Sequence, residues 1–258
     1  MAAIGPCVNH IFESLLYFAS ISFPLILPLI ALSIASVWYM RILGRRMTLV
    51  LGLVGVPVHE LSHLIMCWMI GCKAVSFSLY KPASDGSLGY VNYSYRPTWY
   101  SPFARLLIGL APIPGALLAI YGLTHLLRPD LISMILSAPT MTGMGNHAST
   151  LLRTIFSSGN FWQTLCWLLS VFSILLFCSP SKADIAGCKP AIFFILAVWI
   201  GMTVVAPTWA HQALTLASPL IVAIGSLIWL MLGILSVPVV AFVLARHFIR
   251  RRRVWKAP

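Results

Sequence analysis

Residues 52–71 read Gly52-Leu-Val-Gly-Val-Pro-Val-His-Glu-Leu-Ser-His-Leu-Ile-Met-Cys-Trp-Met-Ile-Gly71. The stretch is apolar enough for the interior of a bilayer, yet it holds His59, Glu60 and His63. Ionisable groups inside an apolar helix are costly and mark function by default. Their spacing is His-Glu-x-x-His. Helix positions i and i+4 share a face, so both imidazoles can reach one metal ion. Glu60 follows His59 directly, where it can act on a water at the metal without taking a ligand position. The competing reading is two histidines satisfied by neighbouring carbonyls, with Glu60 protonated or paired. Burying three such groups to no purpose is expensive, which favours the metal.

Outward from this stretch, composition sets the class. Mean hydropathy is +0.94; hydrophobic residues make up 60% of the 258 and charged residues only 9%. A soluble domain of this length needs more charge. The expected fold is an α-helical polytopic membrane protein, with about six transmembrane helices and a short β-hairpin after the motif helix. The expected organisation is a single membrane domain, 1–258, with a catalytic core over about 48–190 and a basic tail over 246–258. The net charge of +12 is spread through loops and gathered at the C-terminal end, which reads as topology and lipid headgroup contact, with no nucleic-acid partner. The six cysteines form no Cys-x-x-Cys pair and read as small packing residues without a disulfide framework. No basic residue precedes Arg41, so a cleaved signal peptide is not expected.

Along the chain, a first span is expected over Leu15–Met40, kinked at Pro24 and Pro28 and ended by Arg41, Arg45 and Arg46. The motif span follows over Thr48–Ile70; Gly52, Gly55 and Pro57 before His59 suggest close packing or a local opening of the helix, and Gly71 a C-terminal cap. Period-two alternation over Ala74–Tyr80 and β-prone residues over Leu88–Tyr95, around a turn cluster with Asp85, predict the hairpin. A broken third span is expected over Phe103–Leu127, an irregular segment over Leu131–Ser149, and further spans over Phe161–Cys178, Ala191–Val205 and Ala213–Ala245, the last interrupted at Pro219 and Pro238. Six spans put both ends on one side. If that side is cytoplasmic, most of the 17 Lys and Arg fall inside, with Arg41, Arg45 and Arg46 the main exceptions. The expected location is a bacterial cytoplasmic membrane, multi-pass, with a cytoplasmic C-terminus.

A catalytic zinc has three protein ligands and an open position. After His59 and His63, Asp184 is the first candidate for the third, just past a span, with Ser181 before it as a helix N-cap. A solvated carboxylate in a helix first turn accounts for Asp184 equally well. Cys67 continues the His63 face but reads as packing. Asn92, Asn146 and His147 are candidates for substrate binding, and His147 is a further candidate ligand.

The His59-Glu60-Leu61-Ser62-His63 motif in a membrane helix, the β-prone stretch after it and the Asp after a later span resemble the site-2 protease family of intramembrane zinc metalloproteases, peptidase family M50. The resemblance covers about Thr48–Tyr95 and the Asp184 segment. It implies a Zn²⁺ cofactor on His59, His63 and Asp184, Glu60 as catalytic base, and membrane-protein substrates. The family's third ligand stands in an Asn-Pro-Asp-Gly or Leu-Asp-Gly motif; here Ala183-Asp184-Ile185-Ala186-Gly187 lacks the Asn-Pro and carries its Gly three residues on. No stretch is long enough for a PDZ domain, so the likeness is to a minimal or divergent member.

On this reading the hairpin could hold an unwound substrate segment by strand addition. Two other functions fit parts of the pattern. An intramembrane metal or proton transporter would spread acidic residues over several spans, whereas the five here are nearly absent from the other spans. A non-catalytic scaffold binding partner helices would have no use for Glu60.

Overall fold

The computed structural model describes residues 4–84, 86–95, 98, 100–132, 150, 153–155, 157 and 160–254. Helix α1 covers Ile4–Met69 and is interrupted only at Gly44, where φ is 78° and ψ 165°. Only glycine adopts that conformation without strain. The break divides α1 into an N-arm and a C-arm. The expected connection through Arg41, Arg45 and Arg46 is thus a single residue, because arginine is a good helix former and the helix runs through it. From Arg45 to Met69 the C-arm is about 37 Å long, enough for the ~30 Å core of a bilayer.

The expected hairpin is present and shorter than predicted: β1 (Lys73–Ser78) pairs antiparallel with β2 (Tyr90–Ser94), with a register shift between Ala74 and Ser76. The broken third span is α2 (Ser101–Leu110) and α3 (Pro112–Leu127), and a 3-10 turn follows at Pro129–Leu131. Then come α4 (Phe161–Phe177), α5 (Lys182–Val205) and α6 (Pro207–Val254). Helix α5 starts nine residues before the expected Ala191, because Ser181 opens it with a capping box. Helix α6 runs through Pro219 and Pro238 without the expected interruption; apolar helices tolerate proline where neighbours re-satisfy the freed carbonyls.

Four segments are long and apolar enough to cross a membrane: Leu15–Met69, Ser101–Leu127, Lys182–Val205 and Pro207–His247. Helix α4 is apolar but has 17 residues. Among the described residues four segments qualify, the first divided at Gly44, where the sequence led to an expectation of about six spans. Residues 133–149 of the segment Leu131–Ser149, with Asn146 and His147, and Asp85 lie outside the described residues.

The chain divides into two compact units. The first comprises Met1–Gly44, Arg96–Gly109 and Ser179–Pro258. In it the N-arm of α1 and α6 run parallel. Tyr17 bonds Thr215 at 3.2 Å and stacks on His211 at 4.7 Å; Pro24 meets Gly225, whose missing side chain admits the Pro24 carbonyl; Tyr39 bonds Ser236 at 2.7 Å. Residue numbers rise together along both helices for some 33 Å, about one bilayer core. Helix α5 runs the other way against the N-arm, with Phe18 on Trp199 at 5.2 Å and Ser33 on Ser179 at 2.9 Å. Helix α2 is likewise antiparallel to α5, through Phe103 on Phe194 and Gly109 against Asp184 and Cys188. Two parallel helices leave the N-terminal end of α1 and the C-terminal end of α6 at opposite ends of this unit, whereas six spans would put both termini on one side. The end of the N-arm, with Arg41, lies at the same end of the unit as the last turns of α6.

The second unit comprises Arg45–Tyr95 and Leu110–Cys178. The C-arm runs parallel to α4, and Ser173 is the joint. Its hydroxyl accepts from Gly55 N–H at 2.8 Å and donates to the Leu51 carbonyl. Those two groups are hydrogen-bond partners in an uninterrupted helix, so Ser173 enters the ladder of the C-arm one turn before His59. A side chain at position 55 would collide with the Ser173 carbonyl. Of the two sequence expectations, close packing or a local opening, close packing is met here.

Helix α3 packs antiparallel on α4, with Trp167 Nε1 donating to Thr124 Oγ1 at 2.9 Å. Below it lies Arg128, 1% exposed. Its five N–H donors go to Asp130 twice and to Thr164 Oγ1 and the Thr154 and Ile155 carbonyls. A guanidinium satisfied in every direction can stay charged away from water.

Candidate metal centre

His59 and His63 lie on one face of the C-arm, as i and i+4 require. His59 is half-buried; His63 and Glu60 are 6% and 9% exposed. His59 Nδ1 stands 2.6 Å from the carbonyl of Phe177, the last residue of α4. A carbonyl only accepts, so Nδ1 carries the proton and the Nε2 lone pair of a neutral ring is left for another partner. That Nε2 lies 3.1 Å from Nε2 of His63. Two imidazole nitrogens on one tetrahedral metal, each bonded at 2.0–2.1 Å, stand roughly 3.3 Å apart. The pair is thus spaced as metal ligands are, with the tautomer of His59 fixed by the backbone bond that such ligands ordinarily make.

Asp184 sits in the first turn of α5. Its backbone N–H donates to Ser181 Oγ at 3.2 Å, and its Oδ2 accepts from Ser181 N–H at 2.7 Å. The N-cap expected at Ser181 is there, and it uses one carboxylate oxygen of Asp184. Among the described residues, His59, His63 and Asp184 are the His, Cys, Asp and Glu side chains that could hold a metal ion.

Glu60 is covered by the chain leading into β2. A side chain on Gly89 would meet the Glu60 Cγ at 2.7 Å, Val56 at 2.9 Å and the Ser78 carbonyl at 3.0 Å. The base of the hairpin therefore lies directly on the Glu60 side chain. Tyr80 strengthens this placement by donating to the Leu49 carbonyl at 2.6 Å.

The other sequence candidates fall elsewhere. Asn92 is exposed on β2 and bonds Ser76 across the hairpin at 3.0 Å. Asn146 and His147 lie outside the described residues. Cys67 is buried, and its carbonyl accepts from Cys72 N–H at 2.9 Å. Sequence reading passed over Ser173, Phe177 and Gly89. Ser173 left a trace, a hydroxyl within the apolar run of α4; a backbone carbonyl and a glycine before a strand left none.

No family model matches this chain, and neither a curated protein nor a solved structure matches it.

Proposed function

We propose that the chain is a multi-pass membrane protein and a zinc-dependent metalloendopeptidase acting on membrane-protein substrates in or near the bilayer. The observation that carries this reading is the imidazole pair: Nε2 atoms 3.1 Å apart, one ring keyed by the Phe177 carbonyl, in a helix otherwise apolar. Asp184 completes a donor set of two imidazoles and one carboxylate. Three such ligands suit a catalytic Zn²⁺ with one open position. Bound there, Zn²⁺ supplies Lewis-acid polarisation of the scissile carbonyl and a water acidic enough to react near neutral pH.

The chain's own residues do the rest. Glu60 takes the proton of the attacking water and returns it to the leaving amine. Its burial beneath Gly89 keeps bulk water from the carboxylate. A helical substrate shields its peptide bonds by internal hydrogen bonds, so it must be drawn out before cleavage. The two-stranded sheet has an outer edge on each strand, and an extended segment added there would run beside Glu60. The positive-inside pattern puts the basic tail from Arg246 on the cytoplasmic side.

The test is cleavage of single-span peptides by the protein reconstituted in vesicles, read by mass spectrometry. Wild type is expected to cut, and Glu60→Gln to be slower by about a hundredfold or more. Equal rates for the two, or no cut by a zinc-loaded wild type across a broad peptide set, would overturn the reading.

A further inference from the structure

The end of α1 is closed by two cysteines. Gly71, at φ 79°, donates to the Trp68 carbonyl at 3.1 Å, and Cys72 N–H donates to the Cys67 carbonyl at 2.9 Å. This is the two-bond closure in which the side chains of the third-last helical residue and the second residue past the cap meet. Those residues are ordinarily a hydrophobic pair. Here both are thiols, 0% and 9% exposed. All five cysteines whose side chains are described are free. A disulfide needs converging side chains on backbones less than about 7 Å apart. This closure turns the two side chains toward each other, and the Cys72 N–H to Cys67 carbonyl bond draws the backbones together.

We propose that Cys67 and Cys72 form a dithiol modification site, convertible to a disulfide by exchange with a small disulfide such as oxidised glutathione. Cys72, the less covered of the two, attacks one sulfur of the small disulfide. That S–S bond breaks and a small thiol leaves with the proton Cys72 gives up. Cys67 then attacks the Cys72 sulfur, expels the second small thiol and gives it the remaining proton. Two protein thiols are oxidised and one small disulfide is reduced to two thiols. The bond ties the turn after His63 to Lys73, the first residue of β1, so oxidation staples the motif helix to the hairpin. The site does not depend on the protease reading.

The experiment takes the reduced full chain in detergent, equilibrates it with oxidised glutathione, denatures it and alkylates the remaining thiols for peptide mass spectrometry. In wild type, Cys67 and Cys72 are expected to escape alkylation together, with the loss of two hydrogens and no glutathione adduct on either. The exposed Cys166 serves as internal control and should carry glutathione alone. In Cys67→Ser, Cys72 is expected to stop at the glutathione adduct. Full alkylation of Cys67 and Cys72 in wild type while Cys166 reacts would overturn the proposal, as would a stable adduct on Cys72 beside a free Cys67.

Discussion

His59 donates from Nδ1 to the Phe177 carbonyl at 2.6 Å, and this bond ties the motif to the end of a different helix. Ser173, one turn earlier on α4, sets where that carbonyl lies by bonding both Gly55 and Leu51. The position of a backbone oxygen thus controls the side chain that offers its other nitrogen to a metal.

Gly55→Ala tests this linkage. The added carbon meets the Ser173 carbonyl, so α4 must withdraw and carry the Phe177 oxygen away from His59. Overpacking of this kind costs about 1–3 kcal/mol. Loss of the second partner of a metal-binding imidazole costs roughly 10–100-fold in metal affinity. Thermal unfolding and chelator competition measure the two, and a variant unchanged in both would contradict the linkage.

Gly89→Ala acts on Glu60 without touching His59 or His63. The new methyl overlaps the Glu60 side chain and the Ser78 carbonyl, so the base of the hairpin must lift. Zinc content should stay at the wild-type level while peptide cleavage falls about tenfold or more, since a small misplacement of a catalytic group is costly. Loss of zinc together with cleavage would show that the hairpin supports the ligands themselves.

Arg128 predicts an order of stabilities. Arg128→Met strands the Thr154 and Ile155 carbonyls and takes the guanidinium away from Asp130, at a cost of about 3–5 kcal/mol. Asp130→Asn should cost no more than about 1 kcal/mol, because that side chain is 37% exposed and water can replace the arginine. Denaturant titration in detergent measures both, and the reverse order would show that the ion pair, more than the capped carbonyls, holds the network.

The parallel pairing of the N-arm with α6 makes a prediction about sidedness. Compartment reporters fused before Met1 and after Pro258 should report opposite sides of the membrane. Tyr17 with Thr215 and Tyr39 with Ser236 permit no antiparallel arrangement of these helices. Reporters on the same side would contradict the pairing and restore an even number of crossings.

Local chemistry made much of this legible. The i, i+4 histidines, the cap at Gly71, the Ser181 capping box, the hairpin and the break before Pro112 all follow from short-range rules that need only a few neighbouring residues. What escaped depends on residues far apart in sequence. Arg41, Arg45 and Arg46 were expected to end the first span, yet arginine sustains a helix and the break falls at Gly44 alone. The prolines of α6 looked like interruptions, because nothing nearby reveals which neighbours re-satisfy their carbonyls. The direction of α6 against α1 rests on Tyr17, Pro24 and Tyr39 meeting residues some two hundred positions on, and no local pattern encodes that. Ser173 is the instructive case: its hydroxyl was visible in the apolar run, but its partner is a glycine 118 residues away.

The central claim, that His59, His63 and Asp184 hold one zinc with Glu60 beside it as base, is tested most directly by metal content. Wild type, His59→Ala, Glu60→Gln and Asp184→Ala are purified without chelators and their zinc is counted against protein. The expected result is one zinc in wild type and in Glu60→Gln, and loss in the other two. A wild type without zinc that also takes up none when supplied would contradict the account. Full zinc in Asp184→Ala would leave the histidine pair standing and remove Asp184 from the ligand set.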